Sequence, residues 1–331
     1  MSAPSSGPVG VSSAYWRGRR VVVAGATGFL GQSMSHRLAT LQANVVHCSR
    51  SAGCDLRDPD QANRFFTTHL PQVVFNCAAN QGGVAYQREC PGTILYDNAL
   101  IQLNTLEACR LAGVERYVNL IPACAYPAEP RAEGYREEDF EAGAMHESAD
   151  NYGITKRLAV MQAKHYARQF GVRVTAVVLA NTYGPGDHFS ANRSHVLAAL
   201  VRKFFEAKRD DAHEVTVWGR GIAQRDLLYV DDAVTGTLLV VEHCPDAGLI
   251  NIGGGRGYSV REIAETVRDV VGYGGQVRFD ASRPEGPLKK ILDITKLQAN
   301  LGWAPPMPLE QGVQATLDWL EAHSTEVLVA T

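Results

Sequence analysis

The sequence has no long apolar run, no paired CxxC cysteines and no block of like charge. No stretch approaches the ~20 apolar residues of a membrane helix, and the first residues lack the apolar core of a secretion signal, so we expect a cytoplasmic protein. A net charge of −3 disfavours nucleic acid and membrane surfaces as partners. The seven scattered cysteines are predicted to be reduced thiols, with no metal site.

Short apolar runs alternate with helical patterns from residue 19 onward. The predicted strands lie at 20–24, 45–48, 73–77, 117–120 and 172–179. The predicted helices between them lie at 29–41, 59–66, 93–112 and 152–170. This alternation is typical of an α/β fold in which helices cover both faces of a parallel sheet. We therefore predict a Rossmann-type doubly wound sheet.

The chain is predicted to divide near residue 183. Residues 1–17, rich in Ser, Gly and Pro, are expected to form a loose N-terminal tail. Residues 18–183 are predicted to form the dinucleotide-binding domain, with some later segments returning to it. Gly-Pro-Gly at 184–186 interrupts the pattern, and 184–331 are predicted to form mainly a smaller, mixed α/β substrate-binding lobe. A small ligand would lie between them, beyond the carboxyl ends of the strands.

A glycine-rich turn follows the first predicted strand and opens a helix. Its glycines let the backbone approach a pyrophosphate and direct the amides of the helix N-terminus toward the phosphates. The turn residues predicted to contact a dinucleotide are Gly25, Thr27, Gly28, Phe29, Leu30 and Gly31. The other predicted cofactor contacts are Asp55, Leu56, Ala78, Ala79, Tyr152, Lys156, Ala180, Asn181 and Thr182.

The second predicted strand ends in Cys48-Ser49-Arg50 and carries no acid that would hold a ribose 2′-hydroxyl. An arginine at this edge suits a 2′-phosphate, so NADP(H) is favoured over NAD(H). Arg50 could instead be a solvated surface side chain. Asp55 and Leu56, a few residues later, are placed to frame the adenine.

Tyr152 and Lys156 are four residues apart on a predicted helix, so their side chains lie on one face. A lysine charge beside a phenol is expected to lower the pKa of the tyrosine toward values useful for exchanging a proton with a carbonyl or an alcohol. The spacing alone is weak evidence. Its position after the fourth strand of a dinucleotide-binding fold makes a catalytic role the favoured interpretation.

A set of short motifs accompanies these features between about residues 20 and 322. The motifs are Gln81-Gly82-Gly83-Val84, Tyr96-Asp97-Asn98, Cys124-Ala125-Tyr126-Pro127, Asn181-Thr182-Tyr183-Gly184-Pro185, Ser194-His195-Val196, Val217-Trp218-Gly219, Leu228-Tyr229-Val230-Asp231-Asp232, Asn251-Ile252-Gly253 and Leu292-Asp293. They resemble the extended short-chain dehydrogenase/reductases and, within them, the GDP-fucose synthases. GDP-mannose 3,5-epimerases are a more distant resemblance.

The resemblance implies a reaction at a 4-keto-6-deoxymannose attached to GDP, which is epimerised at C3 and C5 and then reduced at C4 by NADPH. It implies that Cys124 and His195 are the acid/base pair of the epimerisation, and that Tyr152 and Lys156 act on the C4 oxygen. Taken alone, such a cysteine is more often a small buried hydrophobe and such a histidine a surface or helix-capping residue. Their joint occurrence in matching motifs favours the catalytic interpretation.

The same resemblance implies a set of contacts with the GDP-sugar. The implied substrate-binding residues are Asn181, Val196, Lys203, Trp218, Arg225 and Lys290. Lys203 stands where the family usually has Arg, which keeps the charge but loses bidentate recognition. Trp218 could instead pack in the core. The resemblance also implies a homodimer formed through the helices at 93–112 and 152–170.

One departure from the family pattern bears on the chemistry. The family carries Gly-Ser-Ser before the cysteine, and its first Ser donates a hydrogen bond to the sugar carbonyl; this chain has Ile121-Pro122-Ala123. Proline offers neither a hydroxyl nor a backbone N–H, and loss of one such donor typically costs ~10² to 10³ in rate. The departure thus weakens every step that builds charge on the C4 oxygen.

Several hypotheses remain open after this departure. The favoured one is an epimerase of a GDP-linked 4-keto sugar in which reduction is weakened or lost. The second is a full NADPH-dependent epimerase and reductase in which a water or Asn98 replaces the missing Ser. An epimerase that transiently oxidises a GDP-hexose with bound NAD(P) is less favoured, because it needs both hydride steps. A non-catalytic nucleotide sensor is disfavoured because all four catalytic candidates are retained.

Overall fold

A computed structural model describes residues 9–190, 193–245, 248–283 and 286–328. The strands in these residues are β1 (Arg20–Ala24), β2 (Asn44–Cys48), β3 (Val73–Asn76), β4 (Arg116–Pro122), β5 (Val174–Leu179), β6 (Asn181–Tyr183), β7 (Glu214–Trp218), β8 (Gln224–Arg225), β9 (Leu227–Tyr229), β10 (Leu249–Ile252), β11 (Tyr258–Ser259), β12 (Gln276–Asp280) and β13 (Lys289–Lys290).

The helices alternate with these strands. They are α1 (Ser13–Trp16), α2 (Phe29–Thr40), α3 (Pro59–His69), α4 (Val84–Glu89), α5 (Pro91–Leu111), α6 (Asp150–Phe170), α7 (Val196–Arg209), α8 (Val230–His243), α9 (Val260–Val271), α10 (Thr295–Leu301) and α11 (Leu309–Val327). Short 3₁₀ segments occupy Arg50–Ala52, Ala123–Ala125 and Glu137–Glu141. Within the described ranges, no helix combines the length and the apolar character needed to cross a membrane.

The central sheet has six parallel strands in the order β10-β5-β4-β3-β1-β2. Its strands are nearly continuous apolar runs, with every residue of β3 buried, because helices cover both faces. Strand β1 has β2 on one side and β3 on the other, so the strand order reverses direction at β1. Such a switch point opens a crevice at the carboxyl ends of the strands, and the predicted doubly wound sheet is confirmed.

The later part of the chain divides between two hydrophobic clusters. Residues of α8, β10 and α10 pack with the central sheet. Residues of α7, α9 and α11 form a separate core with β7 and β9. Two small sheets belong to this second lobe. One pairs β12 with β7, and the other has the strand order β11-β8-β13. The second lobe is therefore built from residues 183–190, 193–229, 258–280 and 309–328.

The predicted loose tail is wrong for the part of it that the structure describes, residues 9–17. Ser12 caps the short helix α1, and the Trp16 side chain is 0% exposed. The Trp16 ring packs 5.8 Å from that of Phe75, and its Nε1 donates to Glu242. Burial of one large aromatic ring with its polar atom satisfied orders a segment whose composition favours disorder. Residues 1–8 of the predicted tail lie outside the described residues.

Candidate active site

The glycine-rich turn is shaped to admit a close ligand. Gly25 has a φ of +74°, and a Cβ there would lie 2.7 Å from the backbone of Ala78. A Cβ on Gly31 would lie 2.1 Å from the Gly25 carbonyl oxygen. Helix α2 begins after Gly28 with no side-chain cap, which leaves its first amides for an anion. The turn, with Thr27, Phe29 and Leu30 on it, fits the pyrophosphate of a dinucleotide.

The loop after β2 carries the predicted residues of the adenosine end. Arg50 is exposed and begins a 3₁₀ turn capped by the Ser49 hydroxyl. Asp55 forms an ion pair of 2.6 Å with Arg57, which also reaches Asp97 at 3.2 Å. The hydrogen bonds and positive charge of Arg57 hold the pKa of Asp55 below its usual range, and the charge of Arg50 acts in the same direction. The Asp55 carboxylate is thus held in place within the loop. The Arg50 side chain, on the same loop, is exposed.

Tyr152 and Lys156 lie on the buried face of α6, near the carboxyl end of β4. The Lys156 ammonium is 1% exposed, donates to the Leu120 carbonyl oxygen at 3.0 Å, and lies 5.7 Å from the centre of the Tyr152 ring. Burial lowers the pKa of Lys156 to about 8. The spacing of four residues therefore does bring the two side chains together.

The expected lowering of the Tyr152 pKa by Lys156 is wrong for this structure. Burial raises the pKa of Tyr152, and the neighbouring Cys124 raises it further. The reason is desolvation, which disfavours the phenolate more strongly than a lysine directed to a backbone carbonyl favours it. Tyr152 is accordingly a phenol at neutral pH, able to donate a proton to a sugar oxygen.

Cys124 lies near this pair, half-buried in the 3₁₀ segment that follows β4. Burial raises the pKa of its thiol, while the positive charges of Lys290 and Lys156 act in the opposite direction. Lys290 is 7% exposed and pairs in register with Arg225 of the neighbouring strand β8. Cys124 is therefore a thiol whose conversion to thiolate two nearby ammonium groups would stabilise.

His195 is the residue that precedes α7, in the second lobe. Burial lowers the pKa of its imidazole, and the nearby His188 lowers it further. The Gln81 side chain reaches it from the loop after β3, with 2.9 Å between Gln81 Nε2 and His195 Nε2. His195 is consequently a neutral imidazole at neutral pH, positioned from both lobes.

The position of the missing serine is occupied by Pro122, the last residue of β4. Asn98 does not replace the lost donor. Its amide is fully buried and donates to the carbonyl oxygens of Asn80 and Ile94, both at 2.7 Å, while its Oδ1 accepts from the Asn80 N–H at 3.0 Å. Since both amide hydrogens are committed to the backbone, the Asn98 form of the second hypothesis is wrong.

Trp218 belongs to an open cleft and not to the core. Its side chain is 49% exposed, with Lys203 Nζ 5.5 Å and Arg283 Cζ 5.6 Å from its ring. The surrounding cleft has a volume of about 430 Å³ and is lined by both cations, Trp218 and Arg278, together with the acidic residues Glu206, Glu214 and Asp280. An aromatic face flanked by cations suits a base and an anionic phosphate group.

The remaining predicted residues fall along the interface of the two lobes. Asn181 opens β6, its N–H bonded to the Asp226 carbonyl oxygen at 3.1 Å, and Val196 opens α7 beside His195. Arg225 donates to the Pro287 carbonyl oxygen at 2.6 Å. The other cofactor candidates lie in loops or short segments after central strands. Leu56 lies between β2 and α3, Ala78 and Ala79 follow β3, and Ala180 and Thr182 follow β5.

Two side chains at the site escaped the sequence-based prediction. Gln81 lies in a motif that the sequence analysis noted, but nothing in the sequence joins it to His195, which is far along the chain. Arg283 has no motif at all; it reaches Trp218 because β12 runs parallel to β7 with Asp280 opposite Trp218. Only tertiary structure shows either contact.

Comparisons with known proteins agree with this geometry. Residues 21–253 match the model of the NAD dependent epimerase/dehydratase family. The chain is 32% identical to the probable GDP-L-fucose synthase 1 of Oryza sativa subsp. japonica, covering 92% of each chain. It is also 32% identical to the GDP-L-fucose synthase of Escherichia coli, covering 91% of this chain and 96% of that protein. A GDP-mannoheptose C4 reductase from Campylobacter jejuni, solved with NADP bound, superposes with a TM-score of 0.83 at 26% identity over 92% of this chain and 98% of that one.

Proposed function

Because the chain belongs to the NAD dependent epimerase/dehydratase family, we propose that it epimerises C3, C5 or both of a 4-keto hexose carried by GDP. One observation carries the proposal: the half-buried Cys124 thiol lies close enough to Tyr152 and Lys156 for charge on one group to act on the others, so a proton-transfer residue lies near the pair that handles a ketone oxygen. The names of the GDP-L-fucose synthases at 32% identity support GDP as the carrier.

The proposed chemistry is proton transfer at carbons next to a ketone. Such protons become acidic only when the developing enolate oxygen is stabilised. The Tyr152 phenol, with Lys156 behind it, donates to the C4 oxygen. Cys124 and His195 then serve as the acid/base pair that removes a proton from one face of a carbon and returns one to the other face. The test is deuterium incorporation at C3 and C5 of GDP-4-keto-6-deoxymannose in D₂O.

Reduction at C4 is proposed to be weak. The glycine-rich turn would hold NADPH, whose chemistry would be hydride donation, and Tyr152 would supply the proton to the C4 oxygen. Pro122 removes the second hydrogen-bond donor to that oxygen, and Asn98 does not restore it. A full epimerase and reductase is the second candidate; it is favoured by the intact Tyr152, Lys156 and glycine turn and by the C4-reductase name of the Campylobacter relative.

NADP(H) is the proposed cofactor, in preference to NAD(H). The exposed Arg50 after β2 supports this preference, because a guanidinium binds a 2′-phosphate well and the loop carries Asp55 already paired with Arg57. The NADP named in the solved relative supports it further.

Replacing Arg50 with Asp tests this assignment. We expect the ratio of kcat/KM for NADPH to that for NADH to fall by about tenfold to a hundredfold, the size expected when a charge-assisted hydrogen bond is lost and a repulsive charge is added. The assay is consumption of each cofactor with the ketone substrate, with Arg64→Asp on α3 as the matched surface control. An unchanged ratio in Arg50→Asp would remove Arg50 from the cofactor site.

We also propose a homodimer formed through α5 and α6. These two helices pack on one another and carry most of the exposed large hydrophobic side chains among the described residues. The exposed members on the two helices are Leu95, Tyr96, Leu103, Leu111, Ile154, Leu158, Met161 and Phe170. A concentration of exposed apolar side chains on two packed helices supports a protein interface there. We also propose a cytoplasmic location, on the basis of the scattered spacing of the seven cysteines in the sequence.

Met161, 51% exposed near the middle of α6, is the site for a test of the dimer. Met161→Glu places a charge on the proposed interface, and we expect the mass measured by light scattering after size exclusion to fall to that of one chain. Leu70→Glu, an equally exposed hydrophobe outside these helices, is expected to keep the dimer mass. A wild-type protein that elutes as a monomer, or a Met161→Glu dimer, would contradict the proposed interface.

A further inference from the structure

The contact between Gln81 and His195 joins the two lobes at the proposed acid/base histidine. We infer that Gln81 is a positioning residue: its amide N–H donates to His195 Nε2, orients the ring and fixes its tautomer. The inference rests on the proposed function for the role of His195, but the contact itself, 2.9 Å between the two nitrogen atoms, does not.

The structure places the amide nitrogen of Gln81, and not its oxygen, next to His195 Nε2, and this orientation sets the direction of the hydrogen bond. An amide nitrogen only donates, so His195 Nε2 must be the acceptor. A neutral imidazole carries one proton, which therefore lies on Nδ1. Gln81 thus holds the lone pair of Nε2 at a defined place, and protonation of Nε2 requires that the amide turn its oxygen toward the ring.

Gln81 is held firmly because its neighbour Asn80 is bound on every polar atom. The Asn80 backbone N–H and C=O pair with Asn98, as described above. Its side-chain Nδ2 donates to Asp97 Oδ2 at 3.0 Å, and its Oδ1 accepts from the Tyr86 hydroxyl at 2.9 Å. Asp97 and Asn98, the last two residues of the Tyr96-Asp97-Asn98 motif, therefore fix the loop that presents Gln81.

The partner loop is also anchored across the lobe boundary. Arg193 lies two residues before His195. Its guanidinium is 4.4 Å from the centre of the Tyr86 ring. Burial and the neighbouring His188 lower the pKa of His195, and the N-terminus of α7 adds a positive dipole. All of these disfavour the protonated, imidazolium form of His195. The neutral amide of Gln81 leaves that preference intact, whereas a carboxylate in its place would reverse it.

The test reads the tautomer of His195 directly by ¹⁵N NMR of the histidine side chains, with the signal assigned from a His195→Gln variant. In the full-length protein we expect Nδ1 to appear protonated and Nε2 unprotonated. Gln81→Leu should populate both tautomers and slow deuterium exchange by about tenfold. Gln81→Glu, which keeps the size of the side chain, should move the proton to Nε2 and raise the pKa of His195 by about 1 to 3.

Gln314→Leu, on the exposed side of α11, is the matched control and should leave the His195 signals unchanged. Unchanged tautomer and titration in both Gln81 variants would overturn the proposal. Because the NMR readout needs no substrate, it separates the two failures. A tautomer that responds to Gln81 in a protein that exchanges no deuterium would leave the positioning role standing and reject the proposed epimerisation.

Discussion

Replacing Cys124 with Ser is expected to lower deuterium incorporation at C3 and C5 by about 10² to 10⁴-fold, the range attributed to a general acid or base. Serine has almost the size of cysteine, but its hydroxyl gives up a proton far less readily. Lys290 and Lys156 favour the charged form of a thiol at this position, and they would not bring a hydroxyl into the useful range. NADPH binding should be unchanged, because Cys124 is not among the predicted cofactor contacts.

Cys90→Ser is the matched control for this variant. Cys90 is also a half-buried thiol, between α4 and α5, and it takes no part in the proposed chemistry. Cys90→Ser should exchange deuterium at the wild-type rate. If Cys124→Ser also kept the wild-type rate, Cys124 would be a packing residue and the acid/base assignment would be wrong.

Restoring the lost hydroxyl has the second large expected effect. Pro122→Ser should raise the rate of NADPH-dependent ketone reduction by ~10² to 10³, which is the typical cost of losing one preorganised donor to a developing oxyanion. The backbone at Pro122 is extended, with φ −78° and ψ 149°, so serine fits without strain. Deuterium exchange should also rise, because enolate formation builds charge on the same oxygen.

Ala123→Ser serves as the control for Pro122→Ser, since it restores the neighbouring hydroxyl of the family pattern instead. Successive side chains at the end of a strand point in different directions, so we expect no comparable gain from Ala123→Ser. Equal rates of NADPH consumption in Pro122→Ser and wild type would show that another group already serves as the donor, which supports the second candidate function.

Features that depend on local pattern could be predicted from the sequence. The apolar runs of β1 and β3 identify buried parallel strands, and the spacing of Gly25, Gly28 and Gly31 between a strand and a helix identifies the turn. Tyr152 and Lys156 meet because four residues make about one helical turn. These inferences needed no knowledge of distant contacts.

Features that depend on distant contacts could not be predicted. Trp16 is ordered by Phe75 and Glu242, which the composition of the tail does not reveal. The Tyr152 pKa follows from burial, which outweighs the nearby lysine. Asn98 looked available as a donor only because its bonds to Asn80 and Ile94 were unknown. Each error arose where tertiary packing decided the state of a polar group.

The central claim is that epimerisation has been kept while reduction has been weakened. The most direct test incubates the purified protein with GDP-4-keto-6-deoxymannose in D₂O, with and without NADPH, and follows deuterium at C3 and C5 by NMR together with cofactor absorbance. We expect exchange in both reactions and NADPH consumption far slower than exchange. NADPH consumption as fast as exchange would contradict weakened reduction, and no exchange under either condition would contradict the epimerase itself.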